Sequence, residues 1–218
     1  MKKSAIDKLY FFVTLKSLGV YLYDTINLNP KILRNQQIKV ALLNLMQGIR
    51  ENCEFNDRIS NVMNNTEWNS LFSLFLVVCE YGTEEKIIAY KDLNVILNKQ
   101  QGILSLACDE NFIMRVFADT VSEVKEIAEL ALINLEILAE DSECKKYFIH
   151  NFLVYNLYTK VSQKHPELII KIHQIVKKLE NKENWESEKL NKEKQRLIEL
   201  GKNEKDEVLQ TLIKSFNR

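Results

Sequence analysis

Two short segments, Ala41-Leu42-Leu43-Asn44-Leu45 and Ala131-Leu132-Ile133-Asn134-Leu135, share the pattern A-L-x-N-L at a spacing of 90 residues, twice 45. Halfway between them, Ala89-Tyr90-Lys91-Asp92-Leu93 keeps the alanine, the final leucine and an isosteric Asp for the Asn. Glu123 to Leu135 is echoed 44 residues on by Glu167 to Leu179, with Lys178 at the Asn place. A chain that repeats itself at this interval is built from units that cannot bury an apolar face alone and must cover one another.

The units read as helical. Only 5 Gly and 2 Pro among 218 residues leave few sites for the tight turns and positive φ angles of sandwiches, barrels and phosphate-cradling loops. Apolar residues recur every three or four positions. Over 124–138 the set Val124, Ile127, Ala128, Leu130, Ala131, Leu132, Leu135, Ile137 and Leu138 forms a stripe so wide that the helix must be enclosed on most of its circumference. The segment 38–49 has the same character, and 168–179 a weaker form of it. Helix starts are marked by Asn29-Pro30 and His165-Pro166-Glu167, and by hydroxyl caps ahead of carboxylates at Thr66-Glu67, Thr83-Glu84-Glu85, Ser122-Glu123 and Ser142-Glu143. Gly82, directly before Thr83, reads as a stop abutting the next start, which implies short connections. The expectation is about ten helices, no sheet, and Leu135 and Trp68 in the core.

The run from Ser122-Glu123-Val124-Lys125 through the second A-L-x-N-L segment to Ala139-Glu140-Asp141-Ser142-Glu143-Cys144-Lys145-Lys146-Tyr147-Phe148-Ile149 resembles the end of one armadillo repeat and the start of the next. Asn151 stands where that family usually has glycine. The resemblance, which spans residues 36 to 180, implies an all-α, right-handed armadillo-like helical solenoid. It further implies that Asn44, Asp92 and Asn134 line a concave groove and hydrogen-bond the main chain of an extended partner segment, a role for which an amide offers both donors and an acceptor. Nuclear-import receptors of the family carry a tryptophan one turn before the Asn. Here the matching places hold Val40, Ile88 and Leu130, which argues against basic localisation signals and for an apolar helix or strand. Accessory subunits of motor or ciliary assemblies, such as kinesin-associated armadillo proteins, fall within the same resemblance.

Residues 1–180 are expected to form the repeat domain and 181–218 a charged C-terminal helical extension. In the extension both charge signs interleave from Asn181 to Glu207. Beyond them Val208, Leu209, Leu212, Ile213 and Phe216 make an amphipathic stripe that suits either the end of the solenoid or another protein. That stripe and the three groove positions are the candidate partner-binding residues.

Chemistry is sparse. Thirty basic residues balance thirty acidic ones, so no global field draws the chain to nucleic acid or an anionic membrane. The cysteines Cys53, Cys79, Cys108 and Cys144 form no C-x-x-C pair and read as buried small hydrophobes of a reducing, cytoplasmic compartment. His150, His165 and His173 sit beside no nucleophile pattern, and the last two are too far apart on a helix to share a metal. No phosphate-binding loop, H-E-x-x-H or G-x-S-x-G occurs, and the acidic clusters at helix starts answer the helix dipole. No catalytic residue, metal or cofactor is assigned. The start, from Met1-Lys2-Lys3 to Val13, is read as an amphipathic helix, and the apolar run 71–79 is too short to cross a bilayer. The leading expectation is a non-catalytic adaptor that binds protein segments. The alternative is a helical enzyme or nucleic-acid binder whose site is assembled from scattered residues.

Overall fold

The computed structural model describes residues 35–55, 65–150 and 156–179, together with Gln195 and Glu199. The Asn29-Pro30 start and the stripe Val208, Leu209, Leu212, Ile213 and Phe216 lie outside the described residues, as does most of the C-terminal extension. Among the described residues there are eight α-helices and no strand, so the protein is all-α here. In chain order they are α1 (Gln36–Phe55), α2 (Asn65–Val78), α3 (Thr83–Lys99), α4 (Glu110–Asp119), α5 (Lys125–Leu138), α6 (Ser142–His150), the one-turn α7 (Ser162–Lys164) and α8 (Ile169–Leu179). A 3-10 segment, Gln101–Ala107, follows α3. A π-helical turn, Leu157–Val161, leads into α7, and a 3-10 turn, Pro166–Leu168, leads into α8.

The connections are short: residues 79–82 join α2 to α3, and 139–141 join α5 to α6. Of the expected hydroxyl caps, Ser122 accepts an amide, Thr83 does not, and Ser142 gives way to the preceding Asp141, while Asn35 and Asp109 cap two further starts. Asn35 Oδ1 accepts the amides of Gln37 and Ile38 at the start of α1. Asp109 accepts that of Phe112, and Asp141 accepts those of Glu143 and Cys144. Thr83 makes no cap, since α3 follows Gly82 without a side-chain bond. Ser122 receives the amide of Val124, upstream of α5. A carboxylate or amide oxygen reaches such amides as readily as a hydroxyl does, so Asp141 takes the capping position beside Ser142.

The chain divides into two compact units, Met1–Arg115 and Val116–Arg218. The division passes through α4, within the segment expected to form one repeat domain. In the first unit α1 packs along α3, and α2 packs against both and against the 3-10 segment. Leu42, Met46, Ile49 and Cys53 of α1 are buried, as are Trp68, Leu71 and Phe75 of α2 and Tyr90, Leu93, Ile96 and Leu97 of α3. Phe75 stands edge-on to both Tyr90 and Phe112, with ring centroids 4.9 and 5.5 Å apart, and Phe72 lies 4.8 Å from Phe112. Such pairs add about 0.5–1.5 kcal/mol each beyond the area they bury.

In the second unit α5 packs against α8. Ile127, Ala128, Ala131, Leu132, Leu135, Ile137 and Leu138 are all buried, the enclosure that the wide stripe of α5 requires. Ion pairs join Lys125 to Glu167 (3.2 Å), Glu129 to Lys171 (3.5 Å) and Glu136 to Lys178 (3.3 Å). Each pair is 42 residues apart, so α5 and α8 run parallel and in register, two residues short of the 44 suggested by the letters. His165 is buried, with Nε2 2.7 Å from the Ser122 carbonyl oxygen. Because a carbonyl only accepts, Nε2 carries the proton and the ring ties the turn before α8 to the turn before α5.

Leu135→Ala is expected to lower unfolding stability by roughly 2–5 kcal/mol, since the side chain is enclosed and its loss leaves a cavity. Chemical denaturation of the purified variant measures this.

Candidate partner-binding surface

α1 and α3 are held side by side by two ion pairs, Lys39 Nζ to Glu85 Oε1 at 2.6 Å and Arg50 Nε to Asp92 Oδ1 at 2.8 Å. The same order along both chains makes the helices parallel. Each residue turns a helix by about 100°. Measured from this seam, the exposed Val40 and Gln47 of α1 lie about a quarter turn one way, with Asn44 somewhat further round and Ala41 on the far side of the helix, while the exposed Glu84, Ile88, Lys91 and Asn98 of α3 spread around about a quarter turn the other way. For parallel neighbours those displacements point in the same direction. The two helices therefore present one common face.

That face has an apolar centre. Val40 and Ile88 are each 45% exposed, and with Met114 they are the large apolar side chains left open among the described residues. Asn44 is exposed one turn beyond Val40, and further along the two helices Gln47 donates to Glu51 and Asn98 donates to the Asn94 carbonyl. Exposed Glu84 and Lys91 put one charge of each sign on the face, and beside it Lys39 is paired with Glu85, whose carboxyl is held below its ordinary 4.5 by the hydrogen bond from Lys39, by backbone hydrogen bonding and by the lysine charge. Tyr81, in the turn before α3, has its phenol pushed up by burial.

The three groove positions named from sequence have different environments. Asn44 is exposed. Asp92 is buried and paired with Arg50 across the α1/α3 seam. Asn134 is fully buried in α5, so its side chain does not meet solvent. The reason is visible in the hairpins. Residues 131–140 show the same alternation of buried and half-buried positions as residues 71–80, 60 residues earlier, and in that register Asn134 takes the place of buried Leu74. The same five letters lie on a half-covered helix at 41–45 and on an enclosed one at 131–135.

What the sequence did not disclose is the seam itself. Lys39, Glu85 and Arg50 carry no motif, and only the pairing of α1 with α3 brings them together. Val40 and Ile88 were visible as aliphatic residues one turn before the Asn and the Asp, but their exposure follows from the packing. Among the described residues no group of three or more His, Cys, Asp or Glu could hold a metal, and no helix is long and apolar enough to cross a membrane. All four cysteines are described; Cys53, Cys79 and Cys144 are buried, Cys108 is half-buried, and no disulfide is present. No family model, curated protein or solved structure matches the chain.

Two outcomes follow from these placements. Asn134→Ala is expected to lower stability by about 1–3 kcal/mol, the penalty of removing a buried amide, and Asn44→Ala to stay within about 0.5 kcal/mol of wild type. Because the Glu85 carboxyl is lowered in the folded chain, its contribution is complete above the unfolded value of about 4.3 and is lost as pH falls through the lower folded value. Thermal melts below about pH 4 should therefore fall more steeply for wild type than for Glu85→Gln.

Proposed function

We propose that the protein is a non-catalytic adaptor with armadillo-like helical repeats that holds a segment of a protein partner on the face shared by α1 and α3. The observation that carries this reading is the exposure of both Val40 and Ile88 on two parallel, ion-paired helices. Leaving two large aliphatic groups in water at one place forgoes about 25 cal/mol for each Å² that a partner could cover. The amides along the face suit the main chain of a bound segment, and its charges are of both signs, Glu84 with Lys91 and Lys39 with Glu85, so an uncharged apolar segment fits better than a basic one. The 42-residue register of α5 with α8 supports a repeat of armadillo length, and the two α1/α3 pairs, 46 and 42 residues apart, fall in the same range. Asn44 is the groove amide retained in this reading. From sequence alone, the stripe Val208, Leu209, Leu212, Ile213 and Phe216 is a second docking segment. A cytoplasmic place in a motor or ciliary assembly rests on the resemblance.

The test compares the proteins retained from a lysate by the wild-type chain, by Val40→Asp with Ile88→Asp, and by Met114→Asp, which alters exposed apolar surface elsewhere. The double variant is expected to lose specific partners that the Met114 variant keeps, with thermal unfolding of all three alike because none of the residues is core. Equal retention by the double variant would overturn the reading, and deletion of residues 206–218 would then show whether the stripe is the docking segment.

A further inference from the structure

An open cleft of about 460 Å³ lies in the first unit between α2, the 3-10 segment and the start of α4, and shares no residue with the α1/α3 face. Its volume falls within the range of about 300–1,000 Å³ typical of ligand sites. Phe72, Leu76 and Leu106 supply apolar surface. Phe72 is itself fixed by its contact with Phe112, so this wall is preformed. Four neutral hydrogen-bonding side chains, Asn69, Ser73, Ser105 and Asn111, stand around the apolar part. Of these only Ser73 is turned back to its own helix, donating to the Asn69 carbonyl at 3.4 Å.

The charge is one-sided. Asp109 lines the cleft, the exposed Glu110 follows it, and no lysine or arginine is among the described lining residues. One oxygen of Asp109 accepts the Phe112 amide at 3.0 Å and so occupies the positive end of α4. An anion arriving there would meet a carboxylate already in place. A cation would meet that carboxylate's charge, and exposed amides would meet the donors and acceptors of a peptide main chain.

We propose that this cleft is a second binding site, taking a short extended peptide segment that sets an aliphatic side chain on Leu76 and Leu106 and a lysine or arginine beside Asp109. The site provides its own reporter. Cys108 lines the cleft and is half-buried, whereas the other three cysteines are buried, so a thiol reagent applied to the native chain reads the occupancy of this place.

The experiment follows the rate at which a water-soluble aromatic disulfide labels Cys108 in the full-length chain, with Cys108→Ser as the blank. The probes are the capped peptides acetyl-Ala-Leu-Lys-Ala-amide and acetyl-Ala-Leu-Glu-Ala-amide, and inorganic phosphate. The lysine peptide is expected to slow labelling at concentrations about 2- to 5-fold lower than the glutamate peptide, the discrimination an exposed ion pair supplies. Asp109→Asn keeps the cap, since Asn caps as well as Asp, and should erase that preference while thermal unfolding stays unchanged. Equal protection by the two peptides, a preference that survives Asp109→Asn, or protection by phosphate alone would overturn the proposal. Loss of the α1/α3 face through Val40→Asp with Ile88→Asp should leave this protection intact, so the two sites fail or stand separately.

Discussion

Parallel packing of helices far apart in sequence is the constraint on which each unit depends. In an antiparallel hairpin a short turn sets the register. Two parallel helices separated in sequence by one or more others have no such device, and their register must come from the contact itself. In the second unit three ion pairs at one separation supply it, the last reinforced when Lys178 also reaches Glu140 at 2.6 Å. Burial alone would pull the Lys178 ammonium down, but its hydrogen bonds to Glu140 and Glu136, with the charge of both, outweigh this and leave it raised. Exposed ion pairs contribute little to stability, about 0–1 kcal/mol each. Their part here is directional: apolar packing along α5 would tolerate a slide of one turn, and the charges oppose it.

The first unit solves the same problem with a more enclosed pair. Arg50 and Asp92 meet at the inner part of the α1/α3 seam, where Asp92 is nearly closed to solvent. Removing one member of such a pair leaves a charge without compensation and costs about 3–5 kcal/mol. A residue of the expected groove ladder thus joins α1 to α3, the two helices that carry Val40 and Ile88.

Much of the helical content was legible in the sequence because it follows from local rules. The scarcity of Gly and Pro, the period of the apolar residues and the width of the α5 stripe all describe single helices, and the enclosure of Leu135 and Trp68 follows from them. Placement across helices was harder to read. A-L-x-N-L marks a helix in both copies, yet whether its Asn faces solvent depends on how many neighbours the helix has, and that number is not written in five letters. Asn134 shows this: it aligns by letter with exposed Asn44 and by environment with buried Leu74. The seam pairs were invisible for a related reason, since a lysine and a glutamate 46 residues apart become partners only once two helices are set beside each other. One cap moved from Ser142 to Asp141 because a carboxylate one residue earlier reaches the same amides.

The constant separation along the α5/α8 ladder also bears on how this chain can vary in length. One residue added between α5 and α8 shifts every rung by the same amount and leaves all the pairs able to meet, with only the separation reading 43. One residue added inside α8, between Lys171 and Lys178, swings the lysine about 100° around the helix and carries it away from Glu136 and Glu140 while Lys171 keeps its partner. Tolerance of insertions is therefore a property of the connections and is denied to the helices, so related chains should differ in repeat length without differing in the spacing of charges along each rung-bearing helix.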